Sequence, residues 1–471
     1  MNILFLQDLW YEWQAPMLFS MIAKNKGHST SLIIKPEPLA AAKYAAKSEP
    51  DLIVFSSVTS GSVDYVYQCS RIIKEMKEVP IIVGGIHITL YPNDICMDNI
   101  NYLGVGEGEI TFSLFLDYLE NKITVDAVPG LAYMQNSHLI INSSQIIENL
   151  DELPLLDRDL YYKYILLKKE KVRMFYSGRG CLHNCSYCCV PLQSKQSSKL
   201  LIRKKSPQNM IDEILDVKNK YGMKAAFFQD DSFTQDKQWL TVFLPLYKKY
   251  VKKPFMCMSR AVDLDIATIN LMADNGCVGI GIGLETACES TRTNILNRHE
   301  TNQHFIDVIE HLKSKKIRIT TFNMLGIPNE TVENIFDTIL FNHKLHIESS
   351  WGVLFQPYKK TKDCNLSSVE STKNFYSKLG YKREDGDKIE SIQRLFPLIV
   401  KFPQLIKVSY KIPKLLGYFV FAFISYYREI NIWRRSWIIT FIVGVKNQIQ
   451  NNKKYEAINA KSRTRYKKNN L

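Results

Sequence analysis

Cys181-Leu182-His183-Asn184-Cys185-Ser186-Tyr187-Cys188 follows directly on Ser177-Gly178-Arg179-Gly180. The spacing is C-x-x-x-C-x-x-C. Three thiolates on one short loop suit three corners of a four-iron cluster and leave the fourth iron without a protein ligand. A cluster that only carries electrons usually takes four cysteines. Just upstream, Val172-Arg173-Met174-Phe175-Tyr176 reads as a buried strand. The thiolates therefore follow a strand end on a glycine-hinged loop, where β/α-barrel enzymes keep their chemistry. Two other readings compete: a zinc loop with Cys189 or His183 as fourth ligand, and a disulfide pair.

Downstream the pattern alternates. Strands are predicted at 172–176, 225–229, 255–258, 278–282, 317–323 and 351–354, and helices at 206–221, 235–250, 264–275, 301–315 and 330–345. Six β/α units over 171–360 fit a partial β/α barrel. Upstream, residues 1–144 show short apolar runs at 2–6, 31–34, 51–57, 79–85 and 101–105. Helical patterns near 15–25, 39–47, 62–77 and 109–120 separate them. That order predicts a doubly wound parallel sheet, whose ligands bind beyond the strand ends at 56–60, 84–87 and 106–109. The whole is an α/β chain. Residues 145–170 are a linker whose proline and paired acids predict an extended crossing.

The cysteine loop and the segments after it resemble the radical S-adenosylmethionine (SAM) superfamily. The resemblance implies that Cys181, Cys185 and Cys188 hold a [4Fe–4S] cluster whose open iron chelates SAM. One electron then yields a 5′-deoxyadenosyl radical. Tyr187 would lie near the adenine. Phe228-Gln229-Asp230-Asp231-Ser232-Phe233-Thr234 resembles a family Phe-x-Asp-Asp-x-Phe-Thr segment and makes Asp230 a SAM contact, with helix capping as the alternative. Gly283-Leu284-Glu285 resembles the Gly-x-Glu beside the SAM ribose, and a carboxylate there can accept from hydroxyls or the ammonium. Gly326-Ile327-Pro328-Asn329-Glu330-Thr331 resembles a segment that puts Gly326 near the adenine. Ser259 and Arg260 are candidates for carboxylate binding.

The first domain resembles the cobalamin-binding domain found ahead of many such enzymes. The residues are Gly84-Gly85-Ile86-His87-Ile88-Thr89-Leu90-Tyr91-Pro92 and Val105-Gly106-Glu107-Gly108-Glu109. Cobalamin contacts implied are Ser57, Gly84, Gly85, His87, Gly106 and Glu107. The D-x-H-x-x-G motif of another cobalamin group is absent, so His87 is expected as a loop residue near the corrin and not as a cobalt ligand. A tight glycine turn in a domain without cobalamin is the competing reading. Leu153-Pro154-Leu155-Leu156-Asp157-Arg158 resembles the Leu-Pro-x-x-Asp-Arg linker between the two domains.

Composition adds compartment and surface. Of ten cysteines, four fall within 181–189 and the rest form no framework, which excludes a small disulfide scaffold. The N-terminus has no cationic start and carries Asp8 and Glu12, so a signal peptide is not expected. A cytoplasmic protein is expected. Residues 1–390 hold 45 basic and 45 acidic side chains, whereas 391–471 hold 16 basic and 2 acidic. That tail, 361–471, reads as a helical, basic extension with apolar runs at 396–400, 415–427 and 433–443. The 13-residue run 415–427 is too short to span a bilayer. Association with the inner membrane face, or packing over the barrel, would account for it; nucleic acid is not expected. The function implied is cobalamin-dependent radical methylation of an unactivated carbon on a hydrophobic or lipid-like small molecule, fed by a ferredoxin- or flavodoxin-type electron donor. The alternatives are a non-methylating radical cyclase or rearranging enzyme and a non-catalytic cluster and corrin sensor. No catalytic side chain is assigned.

Overall fold

A computed structural model describes residues 1–56, 58–191, 202–356 and 379–410. The first sheet is built from β1 (Asn2–Gln7), α1 (Gln14–Asn25), β2 (Ser29–Ile34), α2 (Pro38–Lys47), β3 (Leu52–Phe55), α3 (Val63–Met76), β4 (Ile81–Gly84), α4 (Ile86–Leu90), β5 (Tyr102–Gly104), α5 (Gly108–Leu119), β6 (Leu131–Gln135) and β7 (His138–Ile141). Its order is β2-β1-β3-β4-β5-β6-β7. The period-2 alternation of the apolar runs sorts them between two cores. Leu4, Leu6, Ile53 and Phe55 face α2 and α3 through Ala41, Ala45, Val66 and Ile73. Ile3, Phe5, Leu52 and Val54 face α1 and α5 through Met17, Ala23, Phe112 and Phe115. Both faces are covered, as a doubly wound sheet requires.

Two expectations need correction. The sheet is not wholly parallel: β6 pairs antiparallel with β5 and β7. A two-residue turn, Asn136 and Ser137, joins β6 to β7 with φ of 48° and 64°, the left-handed pair that a tight hairpin needs. The linker makes a single 3-10 turn at Leu150–Glu152 and otherwise runs without helix as far as Asp157. It then folds into α6 (Asp159–Tyr162) and α7 (Ile165–Lys169). Leu160, Tyr161, Tyr162 and Leu167 have apolar surface to bury and join the core on the α1/α5 face. The Tyr161 hydroxyl donates to Gln7 Oε1 (2.6 Å), and the Tyr164 hydroxyl donates to the Leu32 carbonyl (3.0 Å).

Asp157 and Arg158 divide the two domains between them. Asp157 accepts from Ser20 Oγ and pairs with Lys24 Nζ at 2.7 Å, both on α1. Arg158 is 1 % exposed. It donates through Nη2 to the Met174 carbonyl (2.7 Å), lies 3.7 Å from Glu12 Oε2, and sits over the Phe175 ring at 5.0 Å.

The second sheet comprises β8 (Val172–Phe175), a small ribbon of β9 (Gly178–Arg179) and β10 (Arg203–Lys204), α8 (Pro207–Tyr221), β11 (Ala225–Phe228), α9 (Lys237–Leu246), β12 (Phe255–Ser259), α10 (Ile266–Asp274), β13 (Cys277–Glu285), α11 (Glu289–Asn294), α12 (Asn302–Ser314), β14 (Arg318–Leu325), α13 (Val332–Lys344) and β15 (Ser349–Leu354). Six parallel strands run in the order β15-β14-β13-β12-β11-β8, that is, in chain order, which is the arc of a partial barrel. Each crossover helix starts on a capped residue: Ser206, Asp236, Asp265, Thr301 and Thr331 accept from a backbone N–H three residues on. Such caps fix where each strand's exit loop must end. That in turn fixes the loops at the carboxyl face.

Beyond β15, α14 (Gly386–Lys401) lays Ile389, Ile392, Phe396 and Ile399 against Leu325, Ile335, Ile339 and Leu354. The apolar run 396–400, read from sequence as a candidate for a membrane interface, is core instead. The runs at 415–427 and 433–443 lie outside the described residues. Among the described residues no helix is long and apolar enough to cross a membrane.

Candidate active site

The cysteine loop leaves the end of β8 and is pinned by the exits of the neighbouring strands. Gly180 N donates to Asp231 Oδ2 (3.2 Å), Leu182 N donates to Gln235 Oε1 (3.1 Å), and Gln235 Nε2 returns to the Gly180 carbonyl (2.9 Å). His183 Nε2 meets both oxygens of Asp263 at 3.0 and 3.1 Å. Asn297 Nδ2 donates to the Asn184 carbonyl (2.7 Å), and Ser186 N donates to the Leu296 carbonyl (3.2 Å). His183 is thus held by a carboxylate. Among the described residues no three His, Cys, Asp or Glu side chains are gathered as ligands of a single ion. Cys181, Cys185 and Cys188 are all free thiols. Burial pushes the Cys181 thiol up to about 11. Burial also raises Cys185, opposed by the Arg260 and Arg298 guanidiniums. Three free thiols on one loop, pinned at residues 180, 182, 184 and 186, fit three corners of a four-iron cluster.

Tyr187 and Glu285 meet on the face of this loop toward β13. The Tyr187 hydroxyl donates to Glu285 Oε1 (3.1 Å), and Arg298 Nη1 donates to the same oxygen (3.0 Å). Burial raises the Glu285 carboxyl above its ordinary value, and Arg298 opposes that rise. Glu285 has φ of 66°, a conformation an L-residue adopts at some strain. A Cβ on Gly283 would run into the Glu285 carboxylate, so the Gly-x-Glu spacing leaves room for that side chain to fold back. Arg298 Nη2 continues to Glu300 Oε1 (3.1 Å). Glu300 is gripped by Arg260 through Nε and Nη2, both at 2.9 Å, and Arg260 Nη1 reaches Cys185 Sγ at 3.4 Å.

The paired acids after β11 have separate tasks. Asp230 is buried; it accepts from Ser177 N (3.1 Å), Ser177 Oγ and Lys204 Nζ (3.1 Å). It braces the root of the cysteine loop. Asp231 faces the loop itself; its side chain is exposed, and desolvation against the loop followed by the Asp230 charge raises its carboxyl. Gly326 (φ 77°) and Ile327 donate their N–H groups to Glu330 Oε2 at 2.8 and 3.2 Å. Ile327 packs beside Tyr187, Met324 and Tyr381, so the Gly326 turn borders the tyrosine of the cysteine motif.

Burial pushes Glu330 up to about 7 from an ordinary 4.5. Between those values the folded chain holds a proton that the unfolded chain has released. This residue's contribution to stability therefore falls as pH rises from about 4.5 to 7 and is flat above. Glu330→Gln is expected to match the parent below pH 4.5 and to gain on it by about 3 kcal/mol at pH 8. Paired melting curves at the two pH values check this.

On the first sheet, a cavity of about 320 Å³ opens beyond β3, β4 and β5. Gly84, Gly85, Gly104, Gly106, Ser56 and Trp13 are among the residues that line it. Gly84 and Gly104 pair across β4 and β5. A Cβ on Gly84 would meet no protein atom nearer than 3.8 Å, so the space above it is open. Ser56 Oγ is buried there without a hydrogen-bond partner, a donor placed for a ligand. The sequence candidates Gly84, Gly85 and Gly106 line this cavity. Ser57 lies outside the described residues. His87 sits on α4 and not on a loop; its Nδ1 is 2.9 Å from Ser60 Oγ and it packs on Tyr91. Glu107 turns toward the second domain. It pairs with Arg179 Nη1 (3.2 Å) and Arg203, and the side-chain bond from Arg203 and the nearby guanidiniums outweigh burial to hold its carboxyl below the ordinary value.

Arg179, two residues before Cys181, also pairs with Glu109 at 2.6 Å, and Glu109 lines the cavity. The loop that carries the thiols is thereby tied to the cavity's rim. Arg179, Arg203, Asp263, Arg298 and Glu300 were not among the residues singled out from sequence; a charged side chain carries no local mark of being buried in a network.

A family model described as the radical SAM superfamily matches residues 175–341, and one described as the B12 binding domain matches 17–116. An uncharacterized methyltransferase of Pyrococcus horikoshii is 27 % identical over 68 % of this chain and 70 % of its own length. The cytidylyl-2-hydroxyethylphosphonate methyltransferase of Streptomyces wedmorensis is 21 % identical over 59 % of this chain, which spans 58 % of that enzyme. Among solved structures, the radical SAM methyltransferase TsrM of Kitasatospora setae, with cobalamin and a [4Fe–4S] cluster bound, superposes with a TM-score of 0.64 at 13 % identity, covering 78 % of this chain and 74 % of that one. The cobalamin-dependent radical enzyme OxsB superposes with a TM-score of 0.65 at 15 % identity, covering 92 % and 72 %.

Proposed function

Because the chain belongs to the radical SAM superfamily and carries a B12 binding domain ahead of that core, we propose that it is a cobalamin-dependent methyltransferase acting on a carbon of a small molecule. One observation carries the reading: Glu109 lines the glycine-floored cavity and pairs with Arg179 beside the thiol loop. A methyl donor held at one would lie next to a radical generator held at the other. When bound, the cluster supplies the electron that cleaves SAM, and cobalamin supplies the methyl group. Cys181, Cys185 and Cys188 would hold the cluster. Tyr187 and Glu285 would receive SAM on the β13 side, with the Gly326 turn beside them. Asp230 holds the loop's root and would act on SAM only through it. Gly84, Gly85 and Gly106, with Ser56, would admit a nucleotide-sized portion of the corrinoid. The electron would come from a ferredoxin- or flavodoxin-type donor. A hydrophobic or lipid-like substrate is the finer part of the reading. Its support is the apolar, basic sequence at 415–443, since 396–400 is core.

The test is product analysis. Protein reconstituted anaerobically with iron, sulfide and methylcobalamin is given SAM, a strong reductant and a lipid-rich cell extract. Extract-dependent 5′-deoxyadenosine together with S-adenosylhomocysteine is expected. Deoxyadenosine alone would favour a cyclase or rearranging enzyme, and neither product would favour a sensor. Gly84→Val should fold, because the space above Gly84 is open, yet it fills the cavity. Cobalamin absorbance bound after gel filtration is expected to fall at least about tenfold, the effect of roughly 1.4 kcal/mol of lost contact. Unchanged binding would remove the cavity from the reading.

A further inference from the structure

The chain Cys185–Arg260–Glu300–Arg298–Glu285–Tyr187 starts and ends within one cysteine motif, and nothing in the reaction as read above requires its middle. Arg260 directs Nε and Nη2 to the two oxygens of Glu300 at 2.9 Å each, leaving Nη1 at 3.4 Å from Cys185 Sγ. Glu300 is held from its other side by Arg298 at 3.1 Å, and Arg298 ends on Glu285 at 3.0 Å. Two guanidiniums and two carboxylates alternate, so the string is neutral as a whole. Its side chains are 12 %, 1 %, 3 % and 12 % exposed in order from Arg260 to Glu285. A bidentate guanidinium–carboxylate pair is rigid, and so Glu300 fixes where the third N–H of Arg260 points. It points at a sulfur.

We propose that Arg260 is a positioning residue that sets the reduction potential of the cluster through a charge-assisted N–H···S bond to Cys185, with Glu300 holding it in place and moderating its charge. The proposal rests on the three cysteines being the cluster ligands. A hydrogen bond to a ligand sulfur and a nearby positive charge both stabilise the form with the extra electron, so they raise the potential. A radical SAM cluster must be reducible by a donor available to it, and an uncompensated thiolate corner would make that harder. The string also reaches the Tyr187–Glu285 face, so the charge near the cluster is balanced against the groups that would meet SAM.

The measurement is the cluster's midpoint in the reconstituted full-length protein without SAM, by redox titration followed by electron paramagnetic resonance, with iron counted per chain. Arg260→Met is expected to move the midpoint negative, so that the reduced fraction at a fixed potential falls about tenfold, or about 59 mV for one electron. Equal midpoints in Arg260→Met and parent at equal iron content overturn the proposal. If Arg260→Met holds no cluster, Arg260→Lys keeps the charge but loses the fork; a midpoint equal to the parent's then overturns the proposal. A parent protein that takes up no reducible cluster would instead refute the reading of the cysteine loop.

Discussion

Replacing Cys185 by serine is expected to abolish the iron–sulfur chromophore and SAM cleavage together. Cys185 is the deepest of the three thiols, 9 % exposed, while Cys181 and Cys188 are part-exposed. A serine hydroxyl stays protonated and is a hard oxygen donor, a poor ligand for cluster iron. The neighbouring thiol outside the motif, Cys189, adjoins Cys188 and not Cys185. Substitution at Cys188 is for that reason a weaker test. Loss of a mere outer-shell partner of a metal site typically costs about 10–100-fold, so loss of a ligand should lower 5′-deoxyadenosine formation by at least about 100-fold. Iron per chain, the chromophore and the nucleoside product are measured on protein whose circular dichroism matches the parent. Cys189→Ser should retain all three. Parent-like iron in Cys185→Ser would move the cluster elsewhere.

The largest stability effect is expected at Arg158. Arg158→Met keeps the length of the side chain and removes its charge and its donors. The Met174 carbonyl then loses its 2.7 Å guanidinium partner, and Glu12, 6 % exposed, loses a nearby positive charge. Breaking a buried pair by removing one partner typically costs about 3–5 kcal/mol. For domains of this size that is on the order of 10 °C in melting temperature. Because Arg158 holds β8 and also faces Glu12 of the first domain, whereas Asp157 acts on α1, the Arg158 loss should appear in the unfolding steps of both domains. Asp157→Asn should weaken the first. Differential scanning calorimetry of the two variants separates these effects, and an Arg158→Met protein melting within 2 °C of the parent, an interval of roughly 1 kcal/mol or less, would contradict this account of the linker.

The strands and crossover helices were legible because both sheets are covered on two faces. Runs such as Leu52–Phe55 and Ala225–Phe228 have no polar alternation to obscure them, and the crossover helices of the second sheet open on capping residues. The hairpin β6–β7 was not legible. Its turn uses Asn136 and Ser137 in the left-handed region without a glycine to announce them. The helices α6 and α7 are too short to show a period, and only the tertiary core gives Leu160 and Leu167 somewhere to go. The thiol loop could be read because three cysteines at fixed spacing have few structural uses. What holds it could not. Gln235, Asp263 and Asn297 come from three different exits, and their pairing with residues 180–184 is set by the curvature of the six-stranded arc and not by proximity in the chain. Glu107 shows the same limit from the other side: it lies in a segment that resembles a cofactor loop, yet its partners are Arg179 and Arg203, 72 and 96 residues away.

The tyrosines of the linker also order events in time. Chains emerge from the amino end, and domains fold largely as units as they appear. The first sheet cannot complete its α1/α5 face until Tyr161, Tyr164 and Leu167 have emerged, and Cys181 follows Leu167 by only 14 residues. The glycine-floored cavity is therefore finished just as the thiols leave the ribosome, with Gln235, Asp263 and Asn297 still to be made. A nascent chain would become competent for the corrinoid first and for the cluster only after the barrel's later exits exist, which sets an assembly sequence in the covalent order of the polypeptide itself.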